Sequence, residues 1–393
     1  MNFPGLSSFP QKRILLILVL LAACAAGLAA TGSFNFTGNC EGLFLLRGAD
    51  GKFFQLQDDL YLNEEQRYIA GFDLDWHGLL SSSASPGPSL SYSWNEKTGT
   101  GYVRNYLPGN RQLFTSFSRF RDDAGKDVHG LFVGGGLPWT VRGDDLLKKN
   151  ETGMAYFDGN RWYHIWCNVN EALFSFSSFT PLSPSSWEYL GSRVLHHNNT
   201  DLVIGSSHRA VISGVPVRID RYAQFRAGEA YFILSVFLKN IGDRQVSFDY
   251  LYGDEPWLGN YGSSAGNVGW AAEGLHEYVG RLDADRTSFI GFYDHGNDAI
   301  GEGHSFTEMA NFIEWFGAEK PLAYFSNGPY ERPGPGGRTV PISGNTRYLG
   351  ILWGPERLEP GGMISYTMAI GMALPDPETG MPRKPEVDTT EFP

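Results

Sequence analysis

The sequence predicts an all-β fold, a large antiparallel sandwich with one or two short helices. Period-two alternation of apolar and polar residues, broken by turn residues, dominates from Cys40 to Leu374. Glycine (49 residues) and proline (22) punctuate the chain often enough to end strands at short intervals. Only 19% of residues are charged, against about 25% in an ordinary globular domain. The 10 Trp, 19 Tyr and 27 Phe supply rings of the kind that stacked sheets bury.

The clearest element is Tyr231 to Leu238, then Asn240-Ile241-Gly242-Asp243, then Gln245 to Tyr252. Val246, Phe248, Tyr250 and Tyr252 fall on one face of the second run, and Gln245, Ser247 and Asp249 on the other. Two alternating runs joined by a short Asn/Gly/Asp turn predict a β-hairpin. Further strands are expected at Leu43 to Leu46, Tyr102 to Tyr106, Leu113 to Phe120, Trp162 to Val169, Val215 to Arg221, Ser288 to Tyr293, Tyr348 to Trp353 and Ser365 to Met372. The spacing of Phe306, Met309, Phe312, Ile313 and Phe316, with Ser305 and Glu308 as a capping box, predicts a helix over 306–316. A shorter helical turn is expected at Asp144 to Lys149. The tail after Leu374 carries prolines at 375, 377, 382, 385 and 393 with little apolar content, and is expected to be disordered. The predicted organisation is a leader over 1–23, a tether over 24–39, a β-sandwich domain over 40–374 and a disordered tail over 375–393.

The N-terminus carries an address. Lys12 and Arg13 precede an unbroken apolar run, Ile14 to Leu21, followed by the small residues Ala22 to Ala26 around Cys24. Leu21-Ala22-Ala23-Cys24 resembles the lipobox of bacterial lipoprotein precursors. The resemblance implies cleavage before Cys24 and lipidation of its thiol. In a source with two membranes, Ala25 after it favours the outer membrane over the inner one, the protein being expected at the outer membrane or in the periplasm. Two other readings stay open. Residues 14–30 carry no charge and sit at the lower limit of a span, about 17–25 residues, and ordinary cleavage near Ala30 would release a soluble protein. All three place residue 33 onward outside the cytoplasm. There, Cys40 and Cys167 form an even pair, either a disulfide stabilising the fold by about 4–5 kcal/mol or two buried thiols. Three scattered cysteines make no zinc site.

The formal charge of −12 is spread along the chain with no long basic run, which argues against a nucleic-acid partner. No nucleotide motif is present, and no cofactor is expected. Gly134 to Gly136 lacks the context of a dinucleotide loop. Gly262-Ser263-Ser264-Ala265-Gly266 lacks the strand that a nucleophile elbow needs.

Candidate chemistry begins at Tyr252-Gly253-Asp254-Glu255-Pro256-Trp257-Leu258-Gly259-Asn260-Tyr261. A strand here delivers two carboxylates into a loop rich in glycine and aromatic rings. Carboxylates accept hydrogen bonds from sugar hydroxyls, and Trp or Tyr rings stack on sugar C–H faces. Asp254, Trp257 and Tyr261 are therefore the candidate substrate-binding residues. A Glu255 carboxyl against Trp257 would lose solvation of its charged form, raising its pKa towards the range useful for proton transfer. Glu255 is accordingly the candidate base, with His276 or His295 as acid. The structural alternative has Asp254 capping a turn and Glu255 pairing with an arginine. Asp294-His295-Gly296-Asn297-Asp298, with Glu302 and His304 beyond, offers an acid/base pair or a solvated turn, and its spacing fits no metal loop. His164, alternating with Trp162 and Trp166, is expected to pack in the core. His196 and His197 are expected in a surface turn.

The many long strands, the hairpin, and Leu358-Glu359-Pro360-Gly361 leading into a last strand resemble the large β-supersandwich of galactose-mutarotase-like carbohydrate proteins. That likeness implies a carbohydrate-binding or carbohydrate-modifying protein. Enzymes of that fold use a His as general acid and a Glu as general base, and no motif here transfers those roles to particular positions. The second reading is a non-enzymatic envelope lipoprotein that binds a partner or scaffolds an assembly, with an open sheet edge or apolar patch.

Overall fold

The computed structural model describes residues 36–38, 44–47, 53–55, 87–117, 120–121, 127–130, 153–159, 162–166, 168–175, 178–256, 258–259, 267–295, 306–335, 340–342 and 347–389. The chain divides into two compact units, 1–74 and 75–393. In the first, Phe36–Gly38, Phe44–Arg47 and Phe53–Gln55 pair antiparallel in sequence order. The second holds an all-β sandwich.

One layer of the sandwich is a ten-stranded antiparallel sheet. Its path runs Glu188–His197, Asp201–Ile212, Val215–Arg226, Tyr231–Asn240, Met363–Pro375, Ala310–Phe316, Phe289–Asp294, Asn267–Ala271 and Gly274–His276. Pro382–Arg383 adds to Met363–Pro375. Two smaller sheets face it. One has five strands, in the order Trp162–Trp166, Met154–Phe157, Arg111–Phe117, Thr100–Leu107 and Ser89–Asn95. The other has seven, running Ser178–Leu182, Ala172–Ser175, Val246–Glu255, Tyr348–Leu358, Leu322–Ser326 and Gly280–Arg281, with Asn168–Val169 also paired to Val246–Glu255.

Alternation along the long strands produces the two faces of the large sheet. Phe232, Leu234, Val236 and Leu238 point into the main core, while Tyr231 and Ile233 belong to a second cluster on the opposite face. Rings cross the interior from both small sheets. Phe117 packs edge-on against Phe225 and Phe232 at 5.8 and 5.7 Å. Phe325 meets Phe292 at 5.2 Å, and Tyr250 stacks on Tyr366 at 5.2 Å. Each such ring contributes about 1.5–3 kcal/mol on burial, so one shared core holds the two layers together.

The structure corrects several expectations. Tyr231–Asn240 and Val246–Glu255 are not a hairpin. The first pairs with Val215–Arg226 and Met363–Pro375 in the large sheet, the second with Ala172–Ser175 and Tyr348–Leu358 in the seven-stranded sheet. The short turn is an arch between layers, and buried Asn240 holds it. Its side chain donates to the carbonyls of Arg244 and Leu358, both at 2.9 Å, and accepts from the amide of Gly242 at 2.9 Å. Those side-chain bonds take up polar groups that cross-strand bonds would satisfy in a hairpin.

The helix predicted over 306–316 is the strand Ala310–Phe316. Phe312 faces the second cluster and Ile313 the main core. A strand buried on both faces has a continuous apolar run, which periodicity alone does not separate from a helix. Among the described residues the only helical element is a single 3₁₀ turn, Pro184–Ser186. Within 375–393, Pro382–Arg383 pairs antiparallel with Met363–Pro375, and contacts with the large sheet continue to Asp388. His164 is buried, as expected for a core residue. His196 and His197 end the strand Glu188–His197, and Asn198 makes the turn that follows. Cys24, Cys40 and Cys167 lie outside the described residues, as do Gly134 to Gly136, the turn at 144–149 and Gly262 to Gly266. No helix among the described residues is long and apolar enough to cross a membrane.

Candidate functional site on the outer face of the large sheet

The three candidate acid/base residues occupy three different faces. Glu255 ends the strand Val246–Glu255, opposite Asn168. It shares the side of that strand with Leu251, which packs in a small cluster away from the main core. His276 lies between the layers, 5% exposed, with its ring 5.6 Å from Phe325 of the facing sheet and Nε2 3.5 Å from Glu273. His295 stacks on Tyr293, whose ring belongs to the outer cluster of the large sheet. Glu255, His276 and His295 thus sit on three different surfaces of the sandwich. Asp254 is buried, paired in register with Val169 and Leu349. Trp257, Tyr261, Glu302 and His304 lie outside the described residues.

What the structure does bring together is His295 with Glu308 and Tyr293. His295 Nδ1 donates to Glu308 Oε2 at 3.1 Å, and the Tyr293 hydroxyl donates to the same oxygen. The Tyr293 and His295 rings stack at 4.9 Å with planes 11° apart. His295 and Glu308 are 48% and 41% exposed at their side chains, so the pair meets solvent. Burial, with the Glu308 carboxylate second, pushes the Tyr293 hydroxyl well above its ordinary value. It therefore stays a donor at any physiological pH. Glu308 sits at φ 56°, in the left-handed region. For a residue other than glycine that conformation costs about 1–3 kcal/mol and is often retained at functional positions.

Beside this set runs an aromatic floor. Trp270 and Phe289 lie 4.7 Å apart at 58°, and Phe312, Tyr231 and the small residues Ala310, Ala369 and Ala373 complete the cluster. Glu314 stands at its edge, accepting from Ser288 Oγ at 3.1 Å.

The backbone under His295 is held by a buried polar neck. Asp294 Oδ2 accepts from the amide and hydroxyl of Thr307 at 2.9 and 2.6 Å. Asp294 Oδ1 accepts from Asn267 Nδ2 at 3.3 Å, and Asn267 in turn bonds both the amide and the carbonyl of Leu258 at 3.1 Å. Gly259 sits against the neck at φ 115°, where a Cβ would lie 2.6 Å from Asp294 Oδ2. Gly259 and Asp294, one from each stretch singled out in the sequence, thus lie side by side. Gly259→Ala is expected to lower stability by about 2–3 kcal/mol, read as a lower urea midpoint at unchanged slope. An unchanged midpoint would mean that the neck is soft.

Sequence reasoning found His295 but not its partners. Glu308 is 13 positions away and has the spacing of a helix cap, and Tyr293 carries only the pattern of a strand. The alternation of Phe289, Gly291 and Tyr293 was the available signal for a shared face. Among the described residues no three His, Cys, Asp or Glu side chains converge to hold a metal ion.

No protein-family profile and no curated protein matches the chain. Among solved structures, it is similar to a galactose mutarotase-like protein from Clostridium acetobutylicum, at 6% identity over 73% of this chain and 98% of that one, with a TM-score of 0.37. It is similar to an α-galactosidase from Geobacillus stearothermophilus at 10% identity, 72% and 41% coverage and a TM-score of 0.36. A 4-α-glucanotransferase from Thermococcus litoralis matches at 8% identity, 75% and 41% coverage and a TM-score of 0.35. At TM-scores this low, the likeness assigns no residue a role.

Proposed function

We propose that this chain is an exported, membrane-anchored β-sandwich protein that binds carbohydrate on the outer face of its large sheet. The observation that carries the reading is the His295–Glu308 pair, open to solvent and held by buried Tyr293 at the edge of an aromatic floor. Aromatic faces suit the C–H side of a pyranose, and a histidine–carboxylate pair suits its hydroxyls. Because His295 and Glu308 share a proton site, the same pair can move a proton at a ring oxygen or anomeric hydroxyl, which is the step an epimerase needs.

Titration of the protein against a panel of mono- and oligosaccharides tests the binding. His295→Ala and Glu308→Gln are expected to weaken the best ligand about tenfold each, the loss of one charge-assisted hydrogen bond, at unchanged melting temperature. If no saccharide binds, the carbohydrate reading fails. Polarimetry on an anomerising sugar separates catalysis from binding. The anchor rests on Lys12 to Cys24, and Cys24→Ala is expected to release the protein from the membrane fraction. Retention with an intact leader would point to a single span instead.

The partner-binding alternative draws less support. The outermost strand, Glu188–His197, is partly capped. Glu96 Oε1 accepts from the Val194 amide at 3.4 Å, and the Glu96 carbonyl accepts from the Tyr189 hydroxyl at 2.9 Å.

A further inference from the structure

The aromatic floor is covered by the chain's own C-terminal segment. After Met363–Pro375 the chain turns at Asp376 and pairs back through Pro382–Arg383. It then crosses the outer face. The Gly380 carbonyl lies 3.4 Å from the Tyr293 hydroxyl, whose proton goes to Glu308. Lys384 Nζ reaches Glu314 Oε2 at 2.6 Å and lies 5.8 and 5.3 Å from the ring centroids of Phe289 and Phe312. Val387 packs on the cluster, and the Asp388 amide donates to the Tyr231 hydroxyl at 3.0 Å.

The hold on this segment is mostly polar. Val387 is the tail residue that packs on the outer cluster; Asp388 pairs with Arg226 at 2.5 Å, and the Lys384 ammonium, 18% exposed, sits in a box made by a carboxylate and two rings. Segments with little apolar burial open locally at low cost. A carboxylate beside two aromatic faces, sheltered from water, selects a compact cation through charge and ring quadrupole together. Glu314 is held ready for it by the bond from Ser288.

We propose that residues 376–389 are a displaceable strap whose Lys384 occupies a cation subsite formed by Glu314, Phe289 and Phe312, and that an amino sugar places its ammonium there when the strap lifts. The proposal deepens the carbohydrate reading, since it names a ligand class for the same face and explains how the free protein covers it. Lys384 acts as an internal competitor, so weakening it favours the external amine.

The test uses the full chain, wild type and Lys384→Ala, with three probes: glucosamine, glucose and methylammonium chloride. Hydrogen exchange is measured across 376–389 with Val215–Arg226 as internal reference. Lys384→Ala is expected to raise exchange in the strap only, and to tighten glucosamine and methylammonium about tenfold, the scale of one sheltered cation–π and ion-pair contact. Glucose is expected to be unaffected, and Glu314→Gln to abolish the amine preference. If exchange in the strap is unchanged, or neither amine gains over wild type, the proposal is overturned whatever glucose does. If methylammonium gains while no sugar binds either protein, the subsite and strap stand and the carbohydrate reading falls.

Discussion

Arg221→Ala is expected to lower the stability of the sandwich by about 3–5 kcal/mol, the cost of leaving one member of a buried ion pair without its partner. Arg221 sits on the inner face of the strand Val215–Arg226, fully buried. Its Nη2 meets Glu171 Oε2 at 2.8 Å, and Glu171 Oε1 accepts from the Tyr250 hydroxyl at 2.8 Å. Glu171 and Tyr250 belong to the facing side of the sandwich, so the pair joins the two layers through the middle of the core. Urea unfolding would show the loss as a lower midpoint. Glu171→Leu combined with Arg221→Met and Tyr250→Phe is expected to recover most of it, because matched apolar groups remove the stranded charge. If Arg221→Ala costs less than about 1 kcal/mol, water reaches the pair and the core is looser than described.

The second large effect is a loss of stability in mild acid. His208 is 1% exposed, and burial lowers its pKa from the ordinary value of 6.5 to about 4. Its Nε2 donates to the His129 carbonyl at 3.0 Å, and the rings of Trp187 and Tyr189 flank it at 5.9 and 5.5 Å. Arg221 opposes a second positive charge nearby, while Asp220 favours one. Between the two pKa values the unfolded chain holds a proton on this residue and the folded chain does not, so stability falls as pH drops from about 6.5 to about 4. A shift of that size corresponds to about 3 kcal/mol. Chemical denaturation at half-unit pH steps checks it. His208→Gln is expected to start less stable at pH 7 and to lose much less across the same window. A wild-type profile that is flat until the carboxylates titrate would show that His208 takes its proton in the folded state.

Neither of these groups was legible in the sequence. Glu171 and Arg221 are separated by half a hundred positions, and nothing local marks either as buried, because a charge is placed in a core only by the partner that meets it there. A strand such as Val215–Arg226 was legible over Val215 to Arg221 because one face is buried and the other wetter, so alternation writes the burial pattern into the chain. Alternation lost its meaning where both faces are covered. Ala310–Phe316 reads as a helix for that reason, although Phe312 and Ile313 point to opposite sides of one strand. Turn chemistry failed at Asn240 for another reason. The same Asn/Gly/Asp residues that close a hairpin also close an arch, and only the partner strands decide between them.

The sequence by itself determined the all-β class, the positions of ten strand segments, the His295 neighbourhood and the expectation of an exported chain with a leader. These depend on local periodicity and composition. Tertiary structure decided which strands share a sheet, that Glu255, His276 and His295 face three different ways, that Glu308 and Tyr293 join His295, and that the proline-rich tail lies across the outer face. Each of those is a choice of partner between segments far apart in the chain. Such a choice is set by which contacts bury best in three dimensions, and local pattern carries no record of it.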